Sequence, residues 1–271
     1  MYKEFYQFKE NPFNITADPD FFYSSSRHSE AFAHLIYGIK HRKGILVVTG
    51  EIGTGKTTLC RTILSRLDET TKTALILNPN FSDLQLVQLI LKDLGVQSPG
   101  RNKFALIDAL NTFLLEESAR GHNVVLVVDE AQNLSVKQLE NIRLLSNLET
   151  EKEKLLQIIL VGQPELMDKL KLSSLRQLNQ RIAVRYHLLP LDRAELGEYI
   201  HHRLRVAVST PSILPPQFTD DAIDAIFEIS QGTPRMVNIL CDRALLAGFV
   251  AELNDINKQI IYKCAREVIQ R

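Results

Sequence analysis

Charge of one sign is what this sequence most clearly lacks. Lys and Arg together number 32, and Asp and Glu together also number 32. Such a chain has no global basic field to capture nucleic acid or an anionic membrane at long range, although a local patch is not excluded. Cysteine is scarce. Cys60, Cys241 and Cys264 are odd in number and far apart, which excludes a disulfide framework and any zinc-ligand spacing; they read as buried, reduced thiols in a reducing compartment. No apolar run approaches the roughly eighteen residues of a membrane span. The opening MYKEFYQFKENPFN lacks the apolar core of a signal peptide. There is no internal repeat and no low-complexity tract. These absences lead to the expectation of a soluble, cytoplasmic chain. Its 271 residues, 45% hydrophobic and 24% charged, are enough for a full α/β core with a smaller domain appended.

What is present centres on residues 44–58, GILVVTGEIGTGKTT. A short apolar run reads as a buried strand, and an apolar-periodic helix follows the loop. Strand, G-x-x-x-x-G-K-[ST] and helix together make the phosphate-binding P-loop in its required context. Gly50, Glu51, Ile52, Gly53, Thr54, Gly55, Lys56, Thr57 and Thr58 would line the nucleotide. The glycines allow backbone N–H groups to close on phosphate, and the helix start adds partial positive charge. Lys56 is expected to reach the β- and γ-phosphates, and Thr57 to hold Mg²⁺ through its hydroxyl.

Further apolar runs predict four more strands, at residues 74–77, 124–128, 155–161 and 184–188. Helical patterns lie between them, so a five-stranded parallel sheet is expected, with ligands at the strand C-termini. After Pro190 the strands stop. Helices are expected at 195–206, 220–229, 235–249 and 258–269, forming an all-helical lid. The division expected is residues 1–190 for the core, including an aromatic N-terminal arm, and 191–271 for the lid. The arm would pack on a domain, with part of it walling the adenine pocket. A helix at 29–40 would be capped by Ser26 or Ser29, and Arg27 and His28 at its start would be within reach of base or ribose.

Asp129 and Glu130 end the strand at 124–128. A carboxylate there can bind Mg²⁺ and its neighbour can polarise the attacking water; Asp129 is assigned to the metal and Glu130 to the water. Gln163, ending the next strand, would hydrogen-bond the γ-phosphate or that water. Arg176, Arg181 and Arg185 lie before or on the fifth strand. One of them, Arg181 first and Arg176 second, would enter a neighbouring copy's site to stabilise transition-state charge, an effect worth roughly 10³ or more in rate. Pro234 suits a helix start, whereas Arg235 opposes the helix dipole there, so Arg235 is expected to reach the γ-phosphate from the lid.

In this order the motifs resemble those of the AAA+ ATPases. NPFNITADPDFFY, TGEIGTGKTTL, VVDEAQNL, LENIRLLSNLET, LVGQPEL, LRQLNQRI and GTPRMVNILCDRAL are similar to the ATPase domain of the general secretion pathway protein A (ExeA/GspA) family, which has relatives (MshM) in pilus biogenesis and others in exopolysaccharide export. The resemblance implies an α/β P-loop AAA+ fold that hydrolyses ATP with Mg²⁺. It also implies a homo-oligomer working with an envelope-assembly protein partner in the cytoplasm, or peripherally at the inner membrane. A more distant likeness to TniB/TnsC-type transposition regulators and origin-recognition ATPases gives the alternative, an ATP-dependent DNA-binding regulator. Two departures stand out. Gln163 replaces the family's usual Asn or Thr. ExeA-type proteins continue into a membrane span and a peptidoglycan-binding domain, whereas this sequence ends at Arg271, the reading expected of a fragment or short paralogue.

Overall fold

The structure is a computed structural model describing residues 1–77, 79, 81–97, 100, 102–210 and 214–269. In chain order its elements are α1 (Tyr2–Phe5), α2 (Ser26–Lys40), β1 (Ile45–Gly50), α3 (Lys56–Arg66), β2 (Thr71–Ile76), α4 (Asp83–Asp93), α5 (Lys103–Ala119), β3 (Asn123–Val128), α6 (Val136–Leu145), β4 (Gln157–Gly162), α7 (Glu165–Leu170), α8 (Arg176–Gln180) and β5 (Ile182–Leu188). They continue with α9 (Arg193–Ala207), β6 (Gln217–Phe218), α10 (Asp220–Ser230), α11 (Pro234–Val250), β7 (Asp255–Ile256) and α12 (Lys258–Ile269). Two compact units result. A sheet unit holds Ser29–Ile52 and Leu59–Leu188, and a helical unit holds Met1–His28, Gly53–Thr58 and Leu189–Arg271.

The sheet has the order β2-β3-β4-β1-β5, with every neighbour parallel. β1 and β4 are buried throughout, as continuous apolar runs in a sheet covered on both faces require. The edge strands β2 and β5 alternate in burial instead. That explains where their limits depart from expectation. An edge strand needs only one apolar face, so β2 begins at polar Thr71, and β5 begins at Ile182. Because all strands are parallel, the chain leaves Gly50, Val128 and Gly162 at the same sheet edge. Helix ends follow local chemistry. Ser82 and Gln85 form a capping box at α4, as do Ser135 and Gln138 at α6. Gly95, at φ +72°, closes α4, with the Val96 N–H on the Leu91 carbonyl at 2.8 Å. α6 ends at Leu145, with Ser146 as its C-cap.

In the helical unit α9, α10, α11 and α12 share one core that includes Leu196, Ile200, Ile226, Leu240 and Ile261. The arm belongs to this core and not to the sheet unit. Tyr6, Phe8, Phe13 and Phe21 are each 3–4% exposed and packed in it. Residues 1–28 therefore group with the lid helices, a correction to the expected grouping with the core; burial of these rings is the cause. Arg203, 6% exposed, donates to the carbonyls of Pro12 and Asn14 and to the Tyr199 hydroxyl. The helical unit also contains the two-residue parallel pair β6–β7, so strands do recur after Pro190. Ser25, not Ser26 or Ser29, caps α2: its Oγ accepts the His28 N–H at 3.3 Å. Among the described residues no helix is long and apolar enough to cross a membrane.

Candidate functional site

The phosphate loop is built by close backbone approach. Gly53 and Gly55 sit at φ +83° and +93°, a region side chains disfavour. A Cβ on Gly53 would lie 2.6 Å from Arg235 Cβ and 3.2 Å from Thr233 Cγ2. The Arg235 N–H donates to the Gly53 carbonyl at 3.2 Å, so the start of α11 is hydrogen-bonded to the loop through backbone. Thr54 is fully buried and Lys56, the first residue of α3, is 7% exposed. Glu51 and Ile52 are exposed and Thr57 and Thr58 half-buried. Pro234 is buried at the first position of α11, and the Arg235 side chain is exposed. Gly232 sets this approach: a Cβ there would lie 1.8 Å from the Leu191 carbonyl oxygen. Arg27 donates to the Pro190 carbonyl and His28 faces the Thr54 carbonyl at 3.3 Å. Both side chains, expected near base or ribose, are thus engaged with protein backbone.

The carboxylate pair stands in the sheet unit, at the end of β3. Asp129 is 3% exposed. Its Oδ1 accepts the Glu130 N–H at 2.8 Å. Glu130 adopts φ +52°, ψ +36°, a left-handed conformation uncommon for a non-glycine residue. It turns the chain into the short 3-10 helix Ala131–Asn133. The turn brings Gln132 back, so that Gln132 Nε2 donates to Glu130 Oε2 at 2.5 Å. Gln163 Nε2 reaches the same oxygen at 3.4 Å, and the Gln163 N–H donates to Gln132 Oε1 at 3.0 Å. Gly162 leaves room for this amide, since a Cβ there would lie 2.9 Å from Gln132 Oε1. Lys169 Nζ fixes the turn by donating to the carbonyls of Gln132 and Leu134. Glu130 and Gln163 are each legible in the sequence as strand-end polar residues, whereas Gln132 is not. Its only signal was a position two residues after Glu130, and that position reads as a link only once the 3-10 turn is known.

Arg185 is committed to Asn179, donating to its carbonyl and side-chain oxygens. Arg176 begins α8 and Arg181 follows it, one residue before the edge strand β5. Both are exposed, and among the described residues neither side chain has a hydrogen bond or ion pair.

Parallel strands in this order, a loop-to-helix phosphate motif after β1 and an acidic pair after β3 describe one architecture. The fold is that of the AAA+ ATPases. Residues 39–170 match the family model described as AAA domain. The Aeropyrum pernix ORC2 protein, solved as ADPNP–ADP complexes, has a TM-score of 0.71 at 16% identity over 96% of this chain and 72% of its own. Cdc6p from Pyrobaculum aerophilum gives 0.69 at 18% identity, covering 95% and 70%. The Thermotoga maritima RuvB Holliday junction branch migration motor gives 0.54 at 20%, covering 88% and 67%. General secretion pathway protein A of Aeromonas hydrophila is 42% identical over 276 residues, covering 99% of this chain and 48% of the relative. The chain thus spans about half the length of this curated relative. The AAA+ fold implies nucleotide binding, and nucleotide hydrolysis is the activity common to that class.

Proposed function

We propose that this chain binds ATP with Mg²⁺ and hydrolyses it, as part of a homo-oligomer that drives secretion, pilus or exopolysaccharide envelope assembly. The observation that carries hydrolysis is Glu130: a carboxylate in a left-handed turn after β3, with two glutamine amides directed at one of its oxygens. That arrangement fixes one carboxylate oxygen and leaves the other to accept a proton from water as it attacks the γ-phosphorus.

The donor set fits the proposed groups. Lys56 is a buried cation that would neutralise the β- and γ-oxygens. Residues 50–58 would present their N–H groups to phosphate. Thr57 would supply a hydroxyl and Asp129 a carboxylate, donor types that suit Mg²⁺. Among the described residues no group of three or more His, Cys, Asp or Glu could hold a metal. When bound, Mg²⁺ would offset charge developing on the phosphate oxygens. Gln163 holds Glu130 and would also meet the attacking water. Pro234 and Arg235 bring a cation from the lid toward the γ-phosphate. Arg181, with Arg176 as second choice, would complete the site of a neighbouring copy; the exposure of both side chains supports that role.

The secretion role rests on the likeness to general secretion pathway protein A. The partner would be an envelope-assembly protein met at the cytoplasmic face, with the chain associated peripherally with the inner membrane. A transposition-type DNA regulator is not favoured, because the zero net charge provides no basic footprint. The test is calorimetric titration of ATP into wild-type and Lys56→Ala chains, followed by phosphate release. Wild type should bind and turn over ATP, and Lys56→Ala should lose both. Equal ATP affinity in the two proteins would contradict the site.

A further inference from the structure

His28 is buried, at 5% exposure, yet it carries a titratable ring and the hydrolytic chemistry does not use it. The start of α2 is held firmly around it. The Ser26 N–H and hydroxyl donate to Glu195 Oε1 at 3.1 and 2.6 Å. Arg27 donates to the Pro190 carbonyl. His28 Nδ1 meets Ser25 Oγ at 2.9 Å, and its ring packs edge-on against Phe22, with centroids 5.6 Å apart. From this platform Nε2 reaches the Thr54 carbonyl at 3.3 Å. A carbonyl only accepts, so Nε2 carries the proton and Nδ1 accepts from Ser25. Burial lowers the ring's pKa, in keeping with this neutral form.

Two successive loop carbonyls are therefore claimed from the same unit, that of Gly53 by the Arg235 N–H and that of Thr54 by His28. In a planar trans peptide the C=O and the next N–H point in opposite directions. Holding the Gly53 and Thr54 carbonyls outward turns the Thr54 and Gly55 N–H groups to the inside of the loop. Gly55 is free to rotate at φ +93°, so without an anchor its peptide has alternatives. A Cβ on Gly55 would lie 3.3 Å from His28 Nε2, so the ring also bounds the loop from outside.

We propose that His28 is a positioning residue of the phosphate loop: its Nε2–H holds the Thr54 carbonyl and thereby aims the Gly55 N–H at the polyphosphate of a bound nucleotide. The proposal rests on the nucleotide-binding reading above. It assigns the start of α2 a role in phosphate binding, distinct from contact with base or ribose.

The test uses the full chain with His28→Ala, His28→Asn and His28→Gln, titrated with ATP and with GTP. Gln can place an amide donor near the position of Nε2, whereas Asn ends near Nδ1 and cannot reach Thr54. Losing the anchor should weaken ATP and GTP by the same factor, about tenfold, in the Ala and Asn proteins. Gln should stay within about threefold of wild type. The Asn and Gln proteins have similar polarity, so their difference survives if the Ala protein folds poorly. An Asn protein that binds like wild type, or a Gln protein as weak as Asn, overturns the proposal. A changed ATP-to-GTP preference also overturns it, in favour of a base contact. If wild type binds neither nucleotide, the nucleotide reading itself falls; wild-type binding with unaffected variants sinks only the role of His28.

Discussion

Glu130 and Gly232 both adopt left-handed backbone, and they fail in different ways. Glu130 tolerates its left-handed turn because Asp129, Gln132 and Gln163 surround it with hydrogen bonds. At Gly232 no side chain fits: a Cβ would overlap the Leu191 carbonyl, at φ +71°. Gly232→Ala should therefore cost more than about 3 kcal/mol of stability, read from the urea midpoint of the folded chain; a change below about 1 kcal/mol would mean the backbones separate cheaply. The thiols give a second prediction. Cys60, Cys241 and Cys264 are buried, and burial pushes the Cys241 thiol well up and the Cys264 thiol up as well. Raised values keep thiols protonated and slow to react. A thiol-labelling reagent at neutral pH should show no fast phase on the native chain and should modify all three cysteines in urea.

The arm is the element with the clearest physical role. Arg203 joins it to α9 by placing a guanidinium against two arm carbonyls and the Tyr199 hydroxyl, with its face on the Phe21 ring at 4.8 Å. Arg203→Ala would strand buried acceptors and should cost about 2–4 kcal/mol, seen as an earlier unfolding transition in denaturant. Little of this was legible beforehand. Aromatic residues at Tyr6, Phe13 and Phe21 announce burial, but their partners are far along the chain and no periodicity points to them. The five strands were legible, because parallel strands covered on both faces leave unbroken apolar runs such as VVLVV. Their limits were less so at β2, where only alternate residues are buried. Within the site, residues 50–58, Asp129, Glu130, Gln163 and Arg235 stand out by type and spacing. Gln132 does not, because a 3-10 turn gives it its partner; His28 stands out only as a candidate for base or ribose, because its partner is a backbone carbonyl.

For the molecule as a whole, the proposed trans role of Arg181 requires more than one copy. Arg181→Ala should bind ATP like wild type and hydrolyse it roughly 10³-fold more slowly. Mixed with Lys56→Ala, it should regain activity, since the Lys56→Ala copy supplies the missing arginine to an Arg181→Ala site that still binds ATP; a mixture as inactive as its parts would remove the trans role. The most direct measurement, however, concerns Glu130→Gln. ATP binding and phosphate release measured on this one protein test whether β3 ends in a catalytic carboxylate. A catalytic Glu130 requires unchanged ATP affinity with turnover lowered at least about 10²-fold. Hydrolysis at the wild-type rate would contradict it.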